Sequence, residues 1–515
     1  MPSAPSPGLS PQLAPSDVQR RYPKSTVREE VYDYIIVGAG VAGSTLANRL
    51  TASREFRVLL LEAGQLDGQE DIITIPGLAG TAAGSKYNWN LTSSPAADTG
   101  NRSIALPSGR GVGGGRLINQ MVFVRGSVGD FDRWKHFTES RWGWADMFKN
   151  FVKSEIFSRP NEDIVENFNV TWDNSLRGTK GNVFAGYSPF WWPSVNNIVS
   201  AARELGIRVL KDGSGGDVSG GFFTTHSQTP RNARSSARIA HYDVAAKRAN
   251  FRLIQNAHVT KVQIERGRAV GVQILQLSGI RDAEELKAHG VQSVVDLPAV
   301  GRNLQDHPLL VSVNLINSPL NGGNLSDPTF AAEMMAEYIS NRTGPYANPG
   351  GEFLMFLPTL NFIKLVSNDS FDFPAVDPGY LSNPLDLAVI VDAFKFARAI
   401  VSTEAISQLS PVEIVPGPGV SSDADIESYV RQNLATFAHY AGTCSVGPRS
   451  AGGVVDDKFR VHGVKNLRVV DASVIPLLPA AHTSSTVYAL AEKAATSILR
   501  DVGSGSPGRR DRDQG

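Results

Sequence analysis

The chain has 515 residues, 50 basic and 50 acidic side chains, 41% hydrophobic residues and 8% aromatics. At roughly 100–200 residues per domain this supplies two to four folding units, or one large discontinuous pair, with a sizeable core, and it excludes a disordered chain. A net charge of zero leaves no global attraction to nucleic acid or an anionic membrane, and the single cysteine, Cys444, excludes an intrachain disulfide and a cysteine-rich metal site.

Residues 1–30 are polar and proline-rich, lack the apolar stretch of a secretory signal, and read as a tail. Asn-x-Ser/Thr sequons at Asn90, Asn101, Asn169, Asn324, Asn341 and Asn368 are candidate glycosylation sites that point towards secretion. The two signals disagree, so localisation stays open. No apolar run reaches 18 residues, and no transmembrane helix is predicted.

Order is expected from Val31. Residues 34–37 form a short apolar run that ends at Gly38. Ala42, Leu46 and Leu50 recur at helical spacing, and residues 58–61 read as a strand buried on both faces. A glycine-dense loop follows at 108–115. The segment GDFDRWKHF, 129–137, reads as a solvated helix start rather than a nucleic-acid patch. Residues 142–187 are aromatic and irregular, with a linker at 174–181. Strands are expected over 251–265, amphipathic stretches at 331–340 and 385–401, then a strand at 467–470, a turn, and a helix over 484–499. Residues 501–515 read as a second tail. There is no internal repeat and no His/Asp/Glu spacing that suggests a metal.

Gly38, Gly40 and Gly43 form G-x-G-x-x-G after a strand and at the start of a helix, with Val41 and Ala42 inside the turn. The first glycine permits the tight turn, the second lets a pyrophosphate approach the backbone, and the third lets helix and strand pack closely. Free N–H groups at the helix start favour phosphate. Glu62 closes the second strand, 24 residues after Gly38, where a carboxylate can accept hydrogen bonds from ribose hydroxyls. These features predict a dinucleotide without separating NAD from FAD.

The segment PSGRGVGGGRLINQMVFVRG resembles the second flavin-contact loop of the glucose–methanol–choline (GMC) oxidoreductases. Arg110, Gly113, Gly114, Asn119, Arg125 and Gly126 match the family pattern in order, while Gly115 and Arg116 replace its paired serines. LPAVGRNLQDHP, DPGYLSNPLD and the C-terminal NLRVVDASVIPLLPAAHTSSTVYALAEKAA are similar to further family segments, so the resemblance covers about residues 30–500. It implies FAD as cofactor. By the same resemblance, Val122 joins the flavin loop residues, Val259 is an adenine contact, and Asp471, Ala472 and Thr483 serve the flavin.

Two of the nine histidines stand out. His439 lies in FAHYAGTCSVG, which resembles the family's H-x-x-G-T-x-x-x-G, and His482 lies in the C-terminal signature. The resemblance assigns His439 as the base that takes an alcohol proton and His482 as the hydrogen-bonding partner of the substrate oxygen. A neutral imidazole, with a pKa of about 6.5, suits the first task, and a helix N-terminus after His482 suits negative charge on a reduced flavin. His307 reads as a support of the fold, and His136, His226, His241, His258, His289 and His462 show no constellation. Cys444 reads as buried packing. Trp191, Trp192, Phe353 and Phe356 suit an aromatic pocket or core packing equally.

The expected fold is α/β: a discontinuous FAD-binding domain with a Rossmann-like βαβ core (31–150, 221–310 and 431–500), plus an α+β substrate domain with an antiparallel sheet (151–220 and 311–430). After Gly271 the chain lacks most of a strand–turn–strand unit that the family carries, near 272–276. Such a loss predicts apolar surface open to water. The expected partners are a small-molecule alcohol and an electron acceptor, oxygen or another, with no nucleic acid and an undetermined oligomeric state. The alternatives are a lyase or cyclase using flavin structurally, and an inactive relative that lost FAD through the gap.

Overall fold

A computed structural model describes residues 31–139, 142–260, 272–318, 321–352, 359–364 and 375–503. Both terminal tails, most of the 501–515 stretch included, and the aromatic candidates Phe353 and Phe356 lie outside the described residues. So do residues 261–271, where the expected gap begins.

The chain opens with the expected βαβ unit: β1 (Tyr34–Val37), α1 (Val41–Thr51) and β2 (Val58–Leu61). Helices α2 (Val128–Arg133) and α3 (Trp144–Ser154) follow, then strands β3 (Glu155–Ser158), β4 (Val183–Gly186) and β5 (Phe251–Ile254), and helix α4 (Val272–Leu277). The second half carries β6 (Leu304–Asp306), β7 (Pro308–Leu309), β8 (Val313–Leu315), α5 (Pro328–Asn341), β9 (Thr359–Lys364), β10 (Ala375–Asp377) and α6 (Pro384–Val401). It ends with β11 (Val412–Val415), α7 (Asp423–Asn433), β12 (Ala435–Thr436) and the long α8 (Thr483–Gly503).

Strands β1, β2 and β5 form a parallel sheet with β2 in the middle, in register Ile35↔Leu59 and Leu60↔Leu253. Helix α8 packs on α1 and α3, and Leu46, Leu50, Val58, Leu60, Leu490 and Ala494 are buried in one core. Arg49 on α1 pairs with the fully buried Glu492 on α8 at 2.5 Å. In the second half β6, β9 and β10 form an antiparallel sheet, and α6 packs on α7 through Leu387, Val391, Phe394, Ile426 and Val430.

Several expectations are corrected. The 142–187 stretch holds α3, a helix at Glu162–Phe168 and the parallel pair β3–β4, because its aromatic residues are core residues: Trp142, Phe151, Phe168 and Tyr187 are buried. Residues 174–181 are no linker. A Cβ on Gly178 would meet the Val152 carbonyl oxygen at 2.2 Å, and Arg177 is buried. The 129–137 segment does begin in a helix, α2, as expected, but Phe131 and Trp134 are fully buried, so only one face is solvated. Residues 467–470 make a single bridge, Arg460↔Arg468, instead of a strand. β5 stops at Ile254, so Val259 lies beyond the strand. The last helix reaches Gly503, past the expected tail boundary.

Residues 272–277, at the expected gap, are helical. Ile35, in the middle of β1, is 56% exposed, although a strand covered on both faces of a parallel sheet would bury it.

Candidate active site

The fingerprint turn shows why its glycines are needed. Gly38 has φ +92°, a conformation that favours glycine. A Cβ on Gly43 would lie 1.9 Å from the Gly38 carbonyl oxygen and 3.2 Å from Ile36 Cγ2, so α1 rests directly on β1. A Cβ on Gly40 would meet only Gly114 Cα, at 3.8 Å, which leaves open space above this turn. Glu62 is buried, and its two oxygens accept from the N–H groups of Ala39 and Gly64, each at 2.7 Å. It therefore fixes the loop from below and keeps lone pairs for a further donor.

The second glycine loop docks on the first: Gly113 N–H donates to the Ala39 carbonyl at 2.8 Å. Val41 and Ala42 pack with Ala472 and with Val487 of α8. Asn119 Oδ1 accepts from Met121 N–H at 3.2 Å and from Arg234 at 2.8 Å. Val122 is buried and bridges His226. Arg110 runs its backbone against Gly64, with its guanidinium over the Trp89 ring at 5.0 Å. Asp471 is exposed and accepts from Ser473 N–H at 2.8 Å, capping its own turn. Thr483 is the first residue of α8. An open turn lined by backbone, with a helix N-terminus nearby, fits the phosphates and ring of a flavin dinucleotide.

His439 and His482 come together, with ring centroids 4.7 Å apart and planes at 73°. Backbone pairing accounts for their meeting. Pro308 in β7 pairs with Thr436 in β12, Phe437 N–H donates to the His307 carbonyl at 3.0 Å, and Gln305 and Ala441 exchange hydrogen bonds. Between these contacts Ala438 takes φ +57°, which turns His439 towards His307. Gln305, itself buried, reaches the segment before His482: its Nε2 donates to the Pro476 carbonyl at 3.0 Å and its Oε1 accepts from Leu478 N–H at 2.9 Å.

His307 belongs to the site, which the sequence reading missed. Its Nδ1 lies 2.8 Å from Nδ1 of His439, so one nitrogen donates and the other accepts. Asp306 accepts from the His439 N–H at 2.7 Å and from the hydroxyls of Tyr380 and Thr436. Phe437 stacks on His439, with planes at 11°. His226 is buried with Nε2 2.9 Å from the Gly350 carbonyl, and its electrostatic influence reaches His482. The signal for His307 was its place beside Asp306 in LQDHP, but His439 is 132 residues away and only the fold joins them.

The imidazoles are held neutral. Burial pushes His439 well below its usual range, aided by His482 and His307. His482 falls to about 3 and His307 to about 4, burial being the main cause in each. Burial raises Asp306 to about 6 against the hydrogen bonds it accepts. Cys444 is buried and its thiol is pushed up by burial, consistent with packing rather than reactivity.

Two sequence models described as GMC oxidoreductase match residues 32–274 and 358–491. The chain belongs to the GMC oxidoreductase family. An "Alcohol dehydrogenase [acceptor]" of Pseudomonas putida is 33% identical, covering 92% of this chain and 96% of the relative. That alignment spans 545 residues, more than the 515 of this chain, so the relative carries segments that this chain lacks. An "Oxygen-dependent choline dehydrogenase" of Cronobacter sakazakii is 30% identical over 91% of this chain and 95% of its own. Among solved structures, an FAD-dependent oxidoreductase from Chaetomium thermophilum superposes with a TM-score of 0.84 at 28% identity, covering 92% of this chain and all of that one. A fungal aryl-alcohol oxidase superposes with a TM-score of 0.81 at 27% identity, covering 92% and 99%. GMC oxidoreductases are FAD-dependent flavoproteins that act on alcohols.

Proposed function

We propose that this GMC oxidoreductase oxidises a small-molecule alcohol to a carbonyl, with His439 and His482 as its catalytic pair. When bound, FAD supplies the hydride acceptor, flavin N5. Residues 38–43, Glu62, Gly113, Gly114, Asn119, Val122, Ala472 and Thr483 would hold it; Arg110, Val259 and Asp471 are outlying members of the same set. The domain division inferred from the sequence accompanies this reading, with the flavin unit built from three separate stretches of chain.

The observation that carries the proposal is the pair of buried imidazoles whose ring centroids lie 4.7 Å apart, next to the start of α8. A neutral His439 can accept the hydroxyl proton at working pH, which an imidazolium could not. His307 holds the His439 ring through Nδ1 and leaves Nε2 for the substrate. A neutral His482 can donate one ring N–H to the same substrate oxygen. Positioned groups of this kind contribute about 10²–10⁴-fold in rate. The surrounding burial excludes water, and Phe437 fixes the face of His439.

The test is spectroscopic. Purified protein is expected to show the bands of oxidised flavin and to bleach when benzylic or aliphatic primary alcohols are added without oxygen. Bleaching is expected to slow several-fold when the reacting carbon carries deuterium. A colourless protein that takes up no added FAD would overturn the reading in favour of an inactive relative.

A further inference from the structure

Among the described residues the buried arginines follow one rule with two exceptions. Arg125 pairs with Glu155 at 2.9 Å, Arg177 with Asp212 at 2.8 Å and Arg281 with Glu285 at 2.7 Å. Arg116 is 1% exposed and has no such partner among the described residues. It donates to the Ser484 hydroxyl at 3.1 Å and to the Ser235 carbonyl at 3.2 Å, and lies over the rings of Phe123 and Tyr488 at 5.7 and 6.0 Å. Its Nε has no acceptor among the described residues. Arg234, 2% exposed, donates only to the carbonyls of Ile73, Arg116 and Asn119 and to the Asn119 side chain. The two cations repel each other, and burial lowers both.

Burying a charge without an opposite charge beside it is costly. Two guanidiniums without a carboxylate therefore leave positive charge that no described carboxylate neutralises, and a fixed charge of that sign stabilises an anion that forms nearby. The position of Arg116 indicates which one. Its guanidinium rests on the first turn of α8, two residues beyond His482, and its field reaches His482 and His226. The loop that carries Arg116 docks on the fingerprint turn through Gly113 N–H and the Ala39 carbonyl, while the guanidinium itself bonds Ser484 on α8. With FAD bound, alcohol oxidation would pass the C–H electron pair with its hydrogen to the flavin and the hydroxyl proton to His439, so the flavin would gain one negative charge that the Arg116 guanidinium could stabilise.

We propose that Arg116 is an electrostatic residue of the cofactor site, whose buried guanidinium stabilises the negative charge of the reduced flavin and raises the flavin's reduction potential. This rests on the FAD-dependent reading above. The charge acts with the N-terminus of α8, and it stands at a position where the family pattern has an uncharged serine.

Sulfite tests the inference without turnover. Its sulfur adds to flavin N5 and leaves the same negative charge on the ring. The dissociation constant of sulfite and the flavin reduction potential are measured for wild type, Arg116→Lys and Arg116→Gln. The Lys protein, which keeps the charge, is expected within threefold of wild type. The Gln protein is expected to bind sulfite about tenfold more weakly or worse, with a potential lower by about 30 mV for that tenfold change in a two-electron couple. Wild-type values in the Gln protein overturn the inference and leave the FAD reading intact. A Gln protein that holds no flavin also overturns it, because the charge would then serve attachment. A wild-type protein that binds no FAD overturns the underlying reading instead.

Discussion

Replacing His307 with Ala removes a ring that no sequence signal placed beside His439, the proposed base. The Nδ1–Nδ1 contact is 2.8 Å, and the two side chains are 2% and 7% exposed, so water has little access to take its place. Leaving a buried polar atom unsatisfied costs about 1–3 kcal/mol. If that cost falls on the productive orientation and tautomer of His439, it slows proton abstraction by about tenfold to a hundredfold. Asn places a polar atom close to where Nδ1 stands, so His307→Asn is expected to recover much of the loss. The assay is the limiting rate of flavin reduction on rapid mixing with an alcohol in the absence of oxygen, followed across pH. An Ala variant with the wild-type rate and pH profile, or an Asn variant no better than Ala, would refute the positioning role.

Three further outcomes follow from the geometry. Gly43→Ala sets a Cβ 1.9 Å from the Gly38 oxygen; the shift costs about 1–3 kcal/mol and lowers flavin content, read from the visible-to-ultraviolet absorbance ratio and the melting temperature. Glu155→Gln leaves Arg125 buried without its carboxylate; about 3 kcal/mol of stability is expected to be lost in urea denaturation. Acidification is expected to destabilise the protein before its carboxylates titrate. Unfolded histidines protonate near 6.5, whereas His482 and His241 hold out to about 3 and His307 to about 4 when folded. The unfolded chain therefore binds more protons as pH falls through 6.5, and stability present above that pH is lost on the way down. A group lowered to about 3 contributes a loss of about 2 kcal/mol at pH 5. Asp306, raised to about 6, acts with the opposite sign and offsets part of this. A urea midpoint higher at pH 5 than at pH 7.5 would contradict the neutral burial of the histidines.

The fingerprint was legible in the sequence because each glycine there answers a local steric demand, and β1, α1 and β2 follow from apolar runs of the right period. The nearness of His439 and His482 came from family resemblance, since no local pattern joins residues separated by a turn, a bridge and a 3-10 helix. What escaped was non-local. Residues 142–187 looked irregular although Trp144, Met147, Phe148 and Phe151 recur at helical spacing along α3, because the other aromatics pack on distant partners, Trp142 on Phe459 and Phe168 on Trp191. His307 read as scaffolding because its partner lies across a β7–β12 pairing of two residues each, too short to predict. Arg116 was legible as a departure from the family pattern. That it is buried without a carboxylate required the positions of α8, Ser235 and Arg234 together.

The central claim is that His439 serves the reaction and not the fold or the cofactor. Flavin content and anaerobic bleaching by alcohol, measured side by side for wild type and His439→Ala, test it most directly. The account predicts equal flavin content and a bleaching rate reduced by at least a hundredfold in the variant. Equal bleaching rates would contradict it.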